Sequence, residues 1–267
     1  MKYTKDNPLR LVTLCSGYDS QCLAMERLKK KNPEFDYTLV AWSEIDKYAI
    51  RAHDALFPQW KDRNLGDMTK IDWSKVEDFD MLFYSTPCQS ISQAGLQHGF
   101  TEGSGTRSSI IWNVRDAIVA KRPKYLCLEN VAAMVSSKFL PMFNLWQNTL
   151  QQLGYVNFAK VLNAKDYGVP QNRERIFLFS IRDDGDSPKY YFPKPIKLEK
   201  RLKDVLEEKV DEKYYLSDET VQKFVEHCDR KKLEGCGFKF EPTDGDCVGH
   251  TVTSKNGSRA TDNFISE

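Results

Sequence analysis

"LRLVTLCSGYDSQCLAMERLKK", residues 9–30, decides how the fold reads. Its first seven residues form a short apolar run with β-branched members, which predicts a buried strand. Ser16-Gly17 interrupts the run. Ser20 then suits a helix N-cap, and Ala24 and Leu28, four apart, predict one face of a helix. The result is a strand, a tight loop and a helix within little more than twenty residues.

The same alternation continues along the first two thirds of the chain. "YTLVAWSEI" (37–45) reads as a second strand, followed by a helix capped by Asp46 with Ala49, His53 and Leu56 on one face. "FDMLFYS" (79–85) reads as a third. Ile110, Ile111, Val114, Ala117 and Ile118 give a helical stripe that Pro123 ends, and "KYLCLEN" (124–130) is a further strand. Phe139, Phe143, Trp146, Leu150 and Leu153 step by three and four, and Gly154 stands where that helix should stop. "VNFAKVLNA" (156–164) and "RIFLFSI" (175–181) close the series. Apolar strands alternating with amphipathic helices predict an α/β fold, a doubly wound, mostly parallel sheet covered on both faces.

After residue 183 the character changes. "RDDGDSPKYYFPKP" (182–195) is rich in Asp, Gly and Pro. The expected division is therefore a first domain over 1–183 and a smaller, less complete region over 184–267. Within the latter, "LEKRLKDVLEEK" (198–209) predicts a short charged helix, residues 211–267 show weak periodicity, and Asn256-Gly257 predicts a turn. His227, Cys228, Cys236, Cys247 and His250 lack the paired spacing of a zinc site, so no metal is expected.

Composition narrows the function classes. The 267 residues include 39 basic and 38 acidic side chains, a net charge of +1, so no global charge advertises a partner. Segregation of those charges onto different faces keeps nucleic-acid binding open. No apolar run is long enough for a bilayer, and "MKYTKDNPLR" has no signal-peptide core. Seven irregularly spaced cysteines read as reduced thiols, predicting a cytoplasmic protein with no membrane partner.

In doubly wound sheets ligands gather outside the carboxyl ends of the strands. Cys15-Ser16-Gly17, Glu44, Pro87-Cys88 and Glu129-Asn130 all fall at or just after predicted strand ends. Cys88 is either an inert thiol or a nucleophile; its neighbours Ser90, Ser92, Gln93 and Gly95 form loops rather than cores. Cys15, Cys22 and Cys127 read as structural thiols. Glu129 emerges from an apolar strand, where desolvation favours a proton donor, or else it caps a helix start. Arg173 and Arg175, two apart at the start of a strand, should point the same way and could hold an electron-rich substrate, or could simply be solvated. Glu44 suits a ribose hydroxyl pair and Asp67 an adenine amino group.

Together these residues resemble the DNA cytosine-5 methyltransferase family. "PCQ" after a buried strand, "ENV" after the next and "QNRERIF" further on occur in the family's order and near its spacing. "SGYDS", "SEIDKYA" and "GDMTKID" resemble its cofactor motifs, so the likeness runs from about Leu9 to Arg182. The resemblance implies a Rossmann-like S-adenosylmethionine-dependent fold. It implies that Cys15, Ser16, Gly17 and Tyr18 pass near the methionine part, that Glu44 holds the ribose, that Ile45 packs on the adenine and that Asp67 with Met68 reads its edge. Pro87 and Ile110 are further cofactor positions.

By the same resemblance Cys88 adds to carbon 6 of cytosine, with Pro87 and Gln89 beside it. Glu129 acts around ring N3, Asn130 holds the Pro87-Cys88 turn, and Arg173 and Arg175 orient the base. Ser92, Gln171 and Arg173 are implied nucleic-acid contacts on double-stranded DNA, with 95–106 as a closing loop. One reading pairs Asp19, which stands where the family usually has a further glycine, with the cofactor ammonium. Family members normally continue into two more motifs, so a fragment or a partner chain supplying them is expected, with weak turnover by this chain alone. The rival readings are a tRNA cytosine methyltransferase and an inactive binding module.

Overall fold

The computed structural model describes residues 2–87, 99, 101–103, 105, 107–235, 239–253 and 257–266. Cys88, Gln89, Ser92, most of the 95–106 loop and the Asn256 turn lie outside them. The chain divides into two compact units, 1–161 with 175–192, and 162–174 with 193–267.

In the first unit a six-stranded sheet carries the core. Its strands are β1 (Leu9–Leu14), β2 (Tyr37–Ser43), β3 (Met81–Tyr84), β4 (Tyr125–Val131), β5 (Tyr155–Asn163) and β7 (Glu174–Arg182), β5 running on into the second unit. The order is β2-β1-β3-β4-β7-β5. β1 pairs in parallel with both β2 and β3, and β3 pairs in parallel with β4. β7 runs antiparallel to β4, so the sheet is mostly rather than wholly parallel.

The apolar runs are explained by burial on both faces. Val12, Leu14, Leu82, Tyr84, Leu126 and Leu128 pack against α3 (Ile111–Lys121) and α4 (Leu140–Gln152). Leu9, Leu11, Leu39, Met81 and Cys127 face the other cluster, with α1 (Ser20–Lys31) and the α2 (Lys47–Leu56) side. Each fully buried aliphatic side chain contributes about 1.5–3 kcal/mol. Trp146 anchors α4: it is fully buried, its indole N–H donates to the Tyr84 hydroxyl (3.2 Å), and Trp112 meets it edge-on at 5.4 Å.

Local expectations meet mixed outcomes. Asp46 caps α2, its Oδ1 accepting from the Tyr48 and Ala49 backbone N–H groups at 2.9 Å. Gly154 follows α4 with φ +87°, a conformation that favours glycine. Ser20 is not the cap of α1 but its first residue; Asp19 holds the cap position without a capping bond. Ala24 and Leu28 face solvent, while Cys22 is the residue α1 buries. Leu56 is likewise exposed, whereas His53 is fully buried.

The second unit pairs β6 (Gln171–Asn172) in parallel with β8 (Gly249–His250). Its one long helix among the described residues is α5 (Asp218–Leu233), capped by Ser217. Phe224, Phe240 and Phe264 form an aromatic cluster with centroids 5.3–5.6 Å apart. The helix expected at 198–209 is only a 3-10 turn, Leu202–Val205. The Leu202 and Lys203 N–H groups donate instead to the Cys247 and Gly245 carbonyls, which diverts the backbone from a helix. Among the described residues no helix is long and apolar enough to cross a membrane.

Candidate active site

Sheet topology sets the place. β1 is flanked by β2 on one side and β3 on the other, so the chain reverses direction across the sheet between β1 and β3. In doubly wound sheets the loops that leave the carboxyl ends on either side of such a reversal border the place where ligands bind. The Cys15–Asp19 loop follows β1, Glu44-Ile45 follows β2, Thr86-Pro87 follows β3, and Glu129-Asn130 ends β4.

The loop after β1 is tightly wound. Cys15, Gly17 and Asp19 all have left-handed φ, of 52°, 59° and 64°. Gly17 adopts this without strain, and open space surrounds the position its missing Cβ would take. Its N–H donates to Glu44 Oε2 (2.9 Å), while Glu44 Oε1 accepts from the Ile45 and Asp46 N–H groups at 2.8 and 2.9 Å. Ser16 N–H donates to the Ser43 carbonyl (3.1 Å). One carboxylate thus ties the ends of β1 and β2 together.

Around that tie lie apolar surfaces. Ile45 is 73% and Tyr18 51% exposed, although both are large hydrophobic residues at strand ends. The Cys15 thiol lies 3.4 Å from the buried Met68 sulfur and is pushed up to about 12 by burial, with Glu44 and Asp67 adding to the effect. It is an inert wall thiol. Asp67 accepts from the Thr69 N–H (3.0 Å) and hydroxyl (2.8 Å), which holds its carboxyl below the usual range. Ile110 closes a 3-10 turn, Arg107–Ile110, and packs on the core under α3.

The ends of β3 and β4 are joined differently. Buried Asn130 donates from Nδ2 to the Thr86 carbonyl (3.0 Å), and its Oδ1 accepts from the Val131 N–H (2.9 Å). The turn entering Pro87 is therefore held from β4. Glu129, a partly buried carboxylate, lies 2.9 Å from the Arg175 Nε. Register explains the pair: Glu129 faces Phe177 and Val131 faces Arg175, so Arg175 reaches Glu129 diagonally. Glu129 is thus set beside a guanidinium, not in the purely apolar surroundings its strand suggested.

Two expectations are corrected. Arg173 and Arg175 do not share a strand face, because β7 begins at Glu174 and Arg173 lies before it. Arg173 belongs to the second unit, where its N–H donates to Asn163 Oδ1 (3.0 Å) and its guanidinium to the Val252 carbonyl (3.4 Å). Gln171 is in the same unit, on β6. Asp19 does not face a ligand: its side chain is fully buried beneath the loop and accepts from the Thr13 hydroxyl (2.8 Å). Sequence reasoning missed the partner of that carboxylate, His53, whose place on an otherwise apolar helix face was the only signal.

The sheet, with its reversal between β1 and β3, has a Rossmann-like methyltransferase fold. A mutant of Spodoptera frugiperda DNMT2 shares it with a TM-score of 0.70 at 18% identity, over 94% of this chain and 72% of that one. The family model "C-5 cytosine-specific DNA methylase" matches residues 9–264, and the chain belongs to that family. Type II methyltransferase M2.ScrFI of Lactococcus lactis subsp. cremoris is 45% identical over 159 residues, 60% of this chain and 44% of that protein. Orphan methyltransferase M.Rho11sI of Bacillus phage rho11s is 33% identical over 86% of this chain and 50% of its own length. For type II methyltransferase M.HhaI of Haemophilus parahaemolyticus the figures are 32%, 93% and 69%. The chain spans about half the length of the first of these relatives.

Proposed function

We propose that this chain transfers a methyl group from S-adenosylmethionine to carbon 5 of a cytosine flipped out of double-stranded DNA. The observation that carries the reading is the Asn130 bond to the Thr86 carbonyl, which ties the end of β3 to the strand that carries Glu129, itself 2.9 Å from Arg175. Family membership supplies the chemical class. Residues 162–174 with 193–267 are read as part of the target-recognition region, and the protein as cytoplasmic.

The residues at these strand ends suit the cofactor. Their acceptors, two carboxylates beside exposed apolar side chains, match a nucleoside with vicinal hydroxyls. Glu44 would take the ribose, Ile45 one face of the adenine, and Asp67 with the Met68 backbone its edge. Cys15, Ser16, Gly17 and Tyr18 would border the methionine part, with Pro87 and Ile110 completing the wall. When bound, the cofactor supplies an electrophilic methyl group.

The chain's own residues deal with a poor nucleophile. Cys88, as thiolate, adds to carbon 6 of cytosine and makes carbon 5 electron-rich. Glu129 delivers a proton at ring N3 and takes up the charge of the adduct. Arg175 orients Glu129 and the ring, and Arg173 is assigned to the base as well. Once carbon 5 carries the methyl group, its proton leaves to a base, the Cys88–carbon bond breaks to restore the thiolate, and N3 returns its proton to Glu129. Gln89 is assigned with Pro87 to the catalytic turn, and Ser92, Gln171 and Arg173 to nucleic-acid contact. A stacked cytosine cannot reach these groups, so the base must leave the helix.

Incubation with duplex DNA carrying 5-fluorocytosine and S-adenosylmethionine tests this. Fluorine cannot depart as a proton, so the adduct persists. The expected result is a denaturation-resistant protein–DNA band, lost in Cys88→Ala. No band on DNA, together with a band on 5-fluorocytosine tRNA, would transfer the reading to tRNA. No band on either would refute the catalytic role.

A further inference from the structure

We infer that Asp19, held from β1 by the Thr13 hydroxyl and set against His53 of α2, is a positioning residue for the cofactor loop 15–18. The inference rests on the cofactor reading above and concerns a residue that touches none of the proposed ligand.

Asp19 closes the loop with a left-handed φ of 64°. Asp tolerates that conformation better than most residues, but tolerance alone needs no buried carboxylate. Yet both Asp19 and His53 are fully buried. Asp19 Oδ2 accepts from Thr13 Oγ1 at 2.8 Å and lies 3.8 Å from His53 Nε2. Asp19 Oδ1 and both imidazole nitrogens find no hydrogen-bond partner among the described residues. Such a cluster is costly unless it fixes something.

The titratable groups around it are few. Cys22 of α1 faces Asp19, and its thiol is pushed up by burial and by Asp19, so it stays neutral. Burial pushes the His53 imidazole down against the opposing pull of Asp54, 3.6 Å from its Nδ1, which favours the neutral ring. Trp42 of β2 stacks on His53 at 3.6 Å and Phe57 tilts against it at 5.4 Å. At neutral pH Asp19 is therefore a dry anion, with Thr13 as its hydroxyl donor. A charge-assisted bond is shorter and stronger than a neutral one, so ionised Asp19 ties the end of the loop to β1 most firmly. Glu44 holds the same loop at Gly17 from the other side.

Stability and binding should then respond to pH in opposite directions. Burial pushes the Asp19 carboxyl up to about 6 from its ordinary 3.8, against the opposing hydrogen bond from Thr13. The folded state holds that proton more tightly than the unfolded chain. The stabilisation is complete below the unfolded value and lost as pH rises through about 6. Loop positioning is gained over the same rise.

The test uses the full chain, calorimetric titration with S-adenosylhomocysteine, and thermal unfolding without ligand. Wild-type affinity should fall roughly three- to tenfold from about pH 7.5 to about pH 5. In Asp19→Asn, with Glu44 and Asp67 intact, it should be flat and weak throughout. Thr13→Val should weaken binding at neutral pH and move the acid fall to higher pH. In ligand-free melts the Asp19 contribution between about pH 4 and about pH 6 should vanish in Asp19→Asn, with no lower melting temperature at neutral pH. Variants matching wild type in affinity and pH profile would overturn the positioning role alone. No binding by wild type at any pH would overturn the cofactor reading and this inference with it, while the ligand-free melts would still report whether Asp19 titrates as described.

Discussion

Asn130 uses its amide twice, donating to the Thr86 carbonyl and accepting from the Val131 N–H. Removing the donor strands a carbonyl at a buried turn, which costs roughly 1–3 kcal/mol. Asn130→Ala should lower the melting temperature accordingly and slow 5-fluorocytosine trapping further than the folded fraction explains. Asn130→Asp should be worse than Ala, since a carboxylate cannot donate and faces the carbonyl oxygen with charge. Melts and single-turnover trapping of both variants check this ordering. The sequence made Glu129 and Asn130 readable because polar residues leaving an apolar strand are conspicuous. It could not reveal that Arg175 lies beside Glu129, because that contact depends on antiparallel register between β4 and β7. Nor could it show Asp19 turned inward, since only the folded backbone gives the direction of that side chain.

At the scale of elements, α4 shows why some helices are legible and others are not. Phe143, Trp146 and Leu150 are its buried residues, and they step by three and four as a packed stripe must. Trp146→Ala would remove the contacts to Tyr84 and Trp112 and open a large cavity. The expected loss is about 3–5 kcal/mol by denaturant unfolding, with no change in the urea slope if folding stays two-state. α5 has a thinner stripe: Val221, Phe224 and Cys228 step by three and four, but Cys228 is its one fully buried residue, and its charged faces resemble the polar sequence around it. Conversely, residues 198–209 had helical composition but lost the backbone competition to carbonyls of residues 245 and 247. Strands were the easiest elements to read, because a strand covered on both faces has to be apolar throughout.

For the whole molecule, the division into two units follows the chain out at 162 and back at 175 before it leaves for good at 193. The second unit depends on that excursion. β6 supplies the partner of β8, the Thr251 hydroxyl donates to the Asn172 carbonyl (2.7 Å), and the Tyr167 hydroxyl donates to the Pro193 carbonyl (3.0 Å). Residues 193–267 alone should therefore show no cooperative thermal transition by circular dichroism, whereas the full chain should; a sharp transition in the isolated segment would contradict the division. The excursion also constrains any attempt to retarget the protein by grafting. Exchanging only the segment after the sheet would pair a foreign β8 with a native β6. A working chimera has to carry both pieces, 162–174 and 193–267, from the same parent, spliced at three junctions instead of one.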